Sequence, residues 1–294
     1  MTGISIIIPT YNGRKLLERN LPFLLDACGA YQGETEIIVV DDGGGDDTSS
    51  LSGLYPKVTF VRKEQNEGFA KTVNLGVRKA SHPLVFLLNN DVEVTHEVFR
   101  GLAEPFSCKD VFAVQPKMVS VREDETREVV GEVSTRHGFF YYRYREIVLT
   151  GQQSVEMDFC SAGACLVSRE KLLQLGLFDE RFSPFYFEDM DLSLRAKMAG
   201  WRILYFPGAK VYHRHAGSTV KTEYTHFRWN LIHKRNYFLL IFKHAAALGI
   251  FPACMATLPL FVIYKTLTGH PFFLLGFAAA VWRTFQARAM RAFK

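Results

Sequence analysis

An α/β fold with a doubly wound mixed, mostly parallel sheet is predicted, on three observations. Short apolar, β-branched runs recur along the first hundred residues. Helix-length segments with apolar residues at helical spacing separate them. Such alternation gives a parallel sheet with helices on both faces. The ends of the apolar runs carry polar residues, and in sheets of this kind ligands bind beyond the carboxyl ends of the strands.

The elements follow in order. Ile4 to Pro9 (ISIIIP) predicts a buried first strand. Lys15 to Cys28 predicts a helix, with Leu16, Leu17, Leu21, Leu24, Leu25 and Cys28 on one face. Glu36 to Asp42 is a second strand, and GGGDDTSS a turn that can open a helix. Val58 to Val61 is a third strand, Gly68 to Ala80 a helix, and Leu84 to Asp91 a fourth strand. Lys117 to Gly151 reads as strands and a flexible loop. Val155 to Arg169 reads as a strand pair, followed by a short helix that Gly176 ends. Arg202 to Pro207 and Lys210 to His213 are two late strands. The composition then shifts near Tyr237, and Ala245 to Tyr264 and Pro271 to Trp282 hold no charged residue. Two units are expected, 1–236 catalytic and 237–294 apolar and helical.

The bulk composition excludes some functions. The chain has 294 residues, 48% of them hydrophobic, with a formal charge of +5. No block of Lys and Arg marks a nucleic-acid partner. The late basic residues Lys243, Arg283, Arg288, Arg291 and Lys294 lie beside apolar sequence, which suits an anionic membrane surface. Five scattered cysteines without zinc-ligand spacing read as reduced thiols of a cytosolic protein. MTGISIIIPT has no basic leader and is expected to be a first strand, not a signal peptide.

The stretch PFYFEDMDLSLRAKMAGW sets Glu188, Asp189 and Asp191 directly after aromatic residues. Acids in a first helical turn complement the helix dipole, and Asp191 and Arg195 stand at ion-pair spacing. Leu194, Met198 and Trp201 would continue an apolar stripe. The other reading is an active-site base at the edge of a cleft.

The segments IIIPTYNG, IIVVDDGGGDDTS, NEGFAKTVNLG, VFLLNNDVEV, SAGACLVSREKLLQLGLFDERFSPFYFEDMDLSLRAKMAGWRILYFPGAKVYHRHAGS and HKRNYFLLIFKH occur in this order. Together they resemble the family 2 glycosyltransferases of GT-A fold, in the branch of rhamnosyltransferase-like enzymes of bacterial surface polysaccharide assembly. The resemblance runs from about residue 4 to residue 243. It implies an inverting, metal-dependent transfer of one sugar from a dTDP- or UDP-linked donor to a glycan hydroxyl.

The resemblance also implies roles. Pro9, Thr10 and Tyr11 would hold the nucleoside, and Asp41 would accept the base N–H. Asn66, Gly68 and Asn74 would lie beside the nucleotide. Asn89-Asn90-Asp91 stands in the place of the DxD motif, where oxygen ligands take Mg²⁺ or Mn²⁺. Only its third position is a carboxylate, and Asp91-Val92-Glu93 is the alternative frame. His213 is the expected later metal ligand, with His215 competing. Asp189 would be the general base and Glu188 would orient the acceptor, while Asp191 with Arg195 would be structural. Phe185, Tyr186 and Phe187 would wall the cleft. The QxxRW signature of processive synthases survives only as Arg228-Trp229, which favours single addition and leaves both residues near the acceptor or diphosphate. The acceptor is expected to be a polyprenyl-diphosphate-linked or other glycan. The enzyme would sit at the cytoplasmic face of the membrane, through a monotopic helical hairpin, and a homo-oligomer contact is the other use of that apolar surface. Two alternatives are a sugar-1-phosphate nucleotidylyltransferase and a silent sugar-nucleotide-binding protein.

Overall fold

The computed structural model describes residues 1–120, 128–149, 151, 153–213 and 224–292, with side chains to 286. Isoleucine dominates the central strand, β1 (Ile4–Thr10). Parallel strands β2 (Thr35–Asp41) and β4 (Leu84–Leu88) flank it, and β3 (Val58–Arg62) extends the sheet beyond β2. Side chains alternate faces along a strand. Ile4, Ile6 and Ile8 therefore pack on Leu17, Leu21 and Leu24 of α1 (Arg14–Ala30). Ile7 faces the other way, onto Ala70, Val73 and Val77 of α2 (Phe69–Lys79). The expected strands and helices of this half form within a few residues of their predicted ends. The exceptions are the fourth strand, which stops at Leu88, and the turn after β2, which forms only a 3₁₀ helix, Thr48–Gly53.

The other half is less regular. The sheet continues from β4 through β10 (Ala164–Ser168), β6 (Val111–Ser120) and β11 (Arg202–His213) to β5 (Val92–Val94), and β9 (Val155–Met157) pairs with β11. β10 is antiparallel to both its neighbours, and β5 and β9 are antiparallel to β11. Only β6 and β11 run parallel here. The expectation of a mostly parallel sheet is thus corrected to an evenly mixed one. The reason is local: between β5 and β6 the chain forms only α3 (Phe99–Leu102) and a 3₁₀ turn, too little for a helical crossover. The two late strands are one, β11, with an irregularity between Phe206 and Lys210.

Two short helices precede the candidate base, α4 (Arg169–Gln174) and, carrying it, α5 (Glu188–Met198). α5 is buried on two sides, Leu192 and Ala196 in the core that Ile7 shares with α2, and Met190 and Leu194 in a second core shared with the C-terminal helices. Met198 is exposed, and Trp201 stacks on Phe112 beyond the helix end, so the stripe expected through those residues does not form.

A separate hairpin, β7 (Glu128–Arg136) and β8 (Phe139–Ile147), stands off the sheet. The chain ends in α6 (His226–His244), α7 (Phe251–Leu267) and α8 (Phe272–Ala292). The expected boundary at 236/237 falls inside α6. Phe238, Leu240 and Ile241 of α6 share one core with Phe182, Phe187 and Met190, with Cys254 and Leu258 of α7, and with Ala280 of α8. At Gly138, in the hairpin turn, a Cβ would come within 2.4 Å of the Cys254 amide, so the hairpin rests directly on α7. Among the described residues no helix is long and apolar enough to cross a membrane.

Candidate functional site

The carboxyl ends of β1, β2 and β4 form one edge. β2 ends at Asp41, whose side chain is 3% exposed. One of its oxygens accepts the Gly44 amide at 2.9 Å. The other, Oδ2, is buried without a hydrogen-bond partner, and the Arg62 guanidinium stands 3.8 Å away. Burial raises this carboxyl above its usual range. A buried acceptor with a free lone pair suits an N–H donor from a ligand. Its neighbour Asp42 is fully engaged by Lys63 and by the Glu67 and Gly68 amides.

Pro9 and Tyr11 are partly exposed on this edge, and Asn66 is exposed. Thr10 is buried, and its hydroxyl accepts the Asn90 amide at 2.8 Å. Gly68 adopts φ +93°, and a Cβ there would meet Pro184 at 2.7 Å. The Phe69 amide donates to the Pro184 carbonyl at 2.9 Å, which joins this edge to the loop ahead of α5. Asn74 was expected beside the nucleotide, but its amide is buried and engaged at both ends. It donates to the Phe178 carbonyl and to Glu180, and accepts the Phe178 amide. In this structure Asn74 positions the chain.

Beyond β4, Asn90 turns back to Thr10, and Asn89 lines a cavity of about 570 Å³ with His213, Ser161, Gly163, Lys117 and Tyr144. The antiparallel register of β5 on β11 pairs Val92 with His213. That register sets His213 Nε2 3.1 Å from Asp91 Oδ2, across 122 residues of sequence. The two predicted metal ligands therefore meet. Among the described residues no three His, Cys, Asp or Glu side chains form a metal group. A carboxylate and an imidazole still fit Mg²⁺ or Mn²⁺ bound largely through substrate phosphates, because such ions keep few protein ligands. His215 lies outside the described residues.

Asp189 opens α5. It accepts the Met190 amide at 2.8 Å and a hydrogen bond from the Ala162 amide. Burial raises its carboxyl in spite of these bonds. Glu188 is buried, its Oε2 lacks a partner, and burial together with the Asp189 charge pushes it well above the usual carboxylate range. The loop 161–163 spans the site: its Gly163 carbonyl accepts the Asn89 amide while its Ala162 amide reaches Asp189. Tyr186 and Phe187, just before the acids, both hold positive φ, +74° and +71°. Such backbone persists only where surroundings fix it, and it collects at functional sites. Phe185 and Phe187 are core residues, and of the predicted aromatic wall only Tyr186 is open. Asp191 is structural as expected, bound to Arg195, Lys243 and His244. Trp229 reaches the loop, its indole 3.4 Å from the Tyr186 hydroxyl, while Arg228 is exposed on α6.

Several residues here escaped sequence reasoning. Tyr142 and Tyr144 project from β8, and Tyr142 packs edge-on against Phe187. Both phenols are raised by burial and then by the Asp189 charge, Tyr144 to about 12. Lys117 is buried on Glu128, which also accepts the Tyr205 hydroxyl. Asn236 donates to the carbonyls of Phe182, Phe185 and Tyr186, and Arg235 to that of Ser183. The quoted HKRNYF held the signal, but no local rule assigns an Asn within a helix to a loop 51 residues earlier.

Comparisons agree with this architecture. The family model described as "Glycosyltransferase like family 2" matches residues 2–231. A Drosophila melanogaster protein named putative polypeptide N-acetylgalactosaminyltransferase 13 is 26% identical over 238 residues, covering 73% of this chain and 42% of the relative. The chain thus spans under half of that relative's length. A Mycobacterium tuberculosis N-acetylglucosaminyl-diphospho-decaprenol L-rhamnosyltransferase is 26% identical over 269 residues, covering 82% and 85%. Among solved structures, GalNAc-T7 with UDP, GalNAc and Mn²⁺ superposes with a TM-score of 0.65 at 18% identity, covering 82% of this chain and 48% of that one. The mannosyltransferase PcManGT from Pyrobaculum calidifontis, with GDP-Man and Mn²⁺, gives 0.58 at 15%, covering 95% and 87%. At those identities the structures speak for the fold, and the family match speaks for membership: this chain belongs to the glycosyltransferase-like family 2.

Proposed function

We propose that this protein is an inverting glycosyltransferase that moves one sugar from a dTDP- or UDP-linked donor to a hydroxyl of a lipid-linked glycan. The observation that carries the reading is Asp189, a carboxylate raised by burial at the head of α5 and tied through Ala162 to the strand end that bears Asn89. A raised carboxyl is a better base than an ordinary one at neutral pH. Asp41 Oδ2 accepts the base N–H, and Pro9, Tyr11 and Asn66 border the nucleoside. Asp91 and His213 would hold Mg²⁺ or Mn²⁺, and the bound ion would offset charge on the leaving diphosphate. Asp189 takes the acceptor proton as that oxygen attacks the anomeric carbon, Glu188 orients the acceptor, and Tyr186 and Trp229 border it. The lipid-linked acceptor is supported by the named activity of the mycobacterial relative, and the UDP-linked donor by the UDP named in the GalNAc-T7 structure.

The chain works at an anionic membrane surface on its cytoplasmic face, resting on α7 and α8. Phe251, Met255, Leu260, Ile263, Leu267, Trp282 and Phe285 are exposed there, an apolar area larger than a soluble face needs. Lys243 is removed from the expected headgroup contacts, because it points inward to Asp179 and Asp191 at 2.6 and 2.7 Å. Arg283 donates to the Arg181 carbonyl, and the side chains of Arg288, Arg291 and Lys294 lie outside those described.

The deciding experiment is nucleotide release from a panel of sugar nucleotides, with and without a polyprenyl-diphosphate-sugar acceptor. Acceptor-stimulated release of one nucleoside diphosphate supports transfer. Pyrophosphate-dependent formation of a nucleoside triphosphate would identify a nucleotidylyltransferase, and donor binding without release a silent binder.

A further inference from the structure

The α6–α7–α8 junction gathers cations without acids. The Lys234 ammonium of α6 lies 4.5 Å from the ring centre of Phe273 in the first turn of α8. The Lys265 ammonium of α7 lies 5.9 Å from the same ring. Among the described residues neither makes a salt bridge. Behind them Arg235 and Arg283 also lack a carboxylate and bond only to Asn236 and to main-chain carbonyls. The first turn of α8 contains no acid, and although its Phe273 and Leu275 amides already donate to the His270 and Pro271 carbonyls, the helix dipole adds partial positive charge at the same place. His270, just before the helix, sets its ring 6.5 Å from Phe273.

This arrangement is unfavourable as it stands. Lys234 is half-buried, and burial and then the Lys265 charge both act against its ammonium form. Gly276 fixes the crowding, since a Cβ there would meet Lys234 Cβ at 2.5 Å and the Arg235 amide at 2.9 Å. Two ammonium groups flanking one ring at a helix N-terminus are relieved by a shared anion of phosphate type. The surroundings say where that anion comes from. Tyr264 and Leu267 flank Lys265, and Leu274 and Leu275 follow Phe273, all four exposed, with Leu267 at 82%. A soluble phosphate has no use for such an apolar apron, whereas a lipid does.

We propose that Lys234, Lys265 and the amino end of α8 form a binding site for the phosphate of an anionic membrane phospholipid, which fixes the orientation of the protein on the bilayer. The site rests on the membrane-surface reading given above and adds to it a specific point of attachment.

Vesicle flotation of the full chain tests it, with phosphatidylcholine vesicles and with phosphatidylcholine–phosphatidylglycerol vesicles. The parent is compared with Lys234→Gln/Lys265→Gln and with a control of equal charge change, Lys79→Gln/Lys109→Gln, at exposed positions elsewhere. The parent floats with the anionic vesicles. The site variant partitions about fivefold more weakly per lost charge, roughly 25-fold for the pair, and the control nearly as the parent. Circular dichroism and Lys265→Gln alone guard against a folding defect. If the parent floats and both pairs weaken it equally, or neither does, the membrane reading stands and the site falls. If the parent floats with neither vesicle, both fall. A thermal shift by inorganic phosphate that the site variant loses, without any vesicle effect, would assign the site to a soluble anion instead.

Discussion

Asp41 and Asp189 both line the proposed cleft, yet they are held by different means. Asp41 is fixed by the Gly44 amide three residues on, and it faces Arg62 on the neighbouring strand. Both partners lie on the adjacent parallel strand β3 or in the turn that leads to it from β2. Asp189 directly follows a loop whose strained residues, Tyr186 and Phe187, are held from α6. Asn236 gathers three of the loop's carbonyls, and Lys243 and His244 compensate the buried Asp191 two residues after the base. Under the proposed roles, donor recognition is thus a local property of the chain, and the base is a product of long-range packing. The two halves should fail separately.

The sharpest test of that separation is Asp189→Asn. It keeps the shape and removes the basicity, so transfer should fall ~10²–10⁴-fold while donor affinity stays near the parent's. Turnover within about threefold of the parent would remove Asp189 as base. Next is His244→Leu, which strips a hydrogen bond from the fully buried Asp191 carboxylate. With Arg195 and Lys243 still on the carboxylate, losing this hydrogen bond to a charged group costs about 1.5–3 kcal/mol. Chemical denaturation should show that loss, and turnover should drop before nucleotide binding does. Truncation before Tyr237, which also removes Lys243, should act in the same direction and more strongly.

Asp41→Asn probes the other half. Losing a charged acceptor should weaken nucleotide binding by ~10–100-fold. Stability should hold or rise, because a buried carboxylate oxygen without a partner is gone. Calorimetric donor affinity that does not change would free Asp41 from the nucleotide. The smallest effect is on pH dependence, through Glu188. Its folded-state pKa is raised by burial and by Asp189. A raised carboxyl favours folding below its unfolded pKa of about 4.3, and that contribution is lost as pH rises through the folded value. Glu188→Gln should therefore gain stability relative to the parent as pH climbs from about 4 towards neutrality. Parallel stability–pH curves for the two proteins would mean that Glu188 is not buried as an acid.

The same contrast explains what could be read from the chain beforehand. Strand β1 and helices α1 and α2 were legible because Ile6, Ile7 and Ile8 alternate between faces covered by the first two helices that follow in sequence. Asp91 and His213 could be paired only through resemblance, since the β5–β11 register that joins them follows from no local pattern. The hairpin tyrosines were invisible as site residues: HGFFYYRYR is an aromatic run in any reading, and only tertiary packing turns Tyr142 towards Phe187. Lys243 was read as a surface cation because a carboxylate 52 residues earlier leaves no mark on its own helix.

The Asn236 clamp also bears on the order in which the protein is made. Synthesis proceeds from the amino end, and the donor edge is complete once β4 and α2 have formed. The loop before Asp189 gains its lock only when residues 236–244 have emerged. During that interval, or after a cut within α6, the chain would hold a nucleotide sugar without a positioned base. A molecule at that stage would then shelter its donor, and commitment to transfer would come only with residues 236–244 in place.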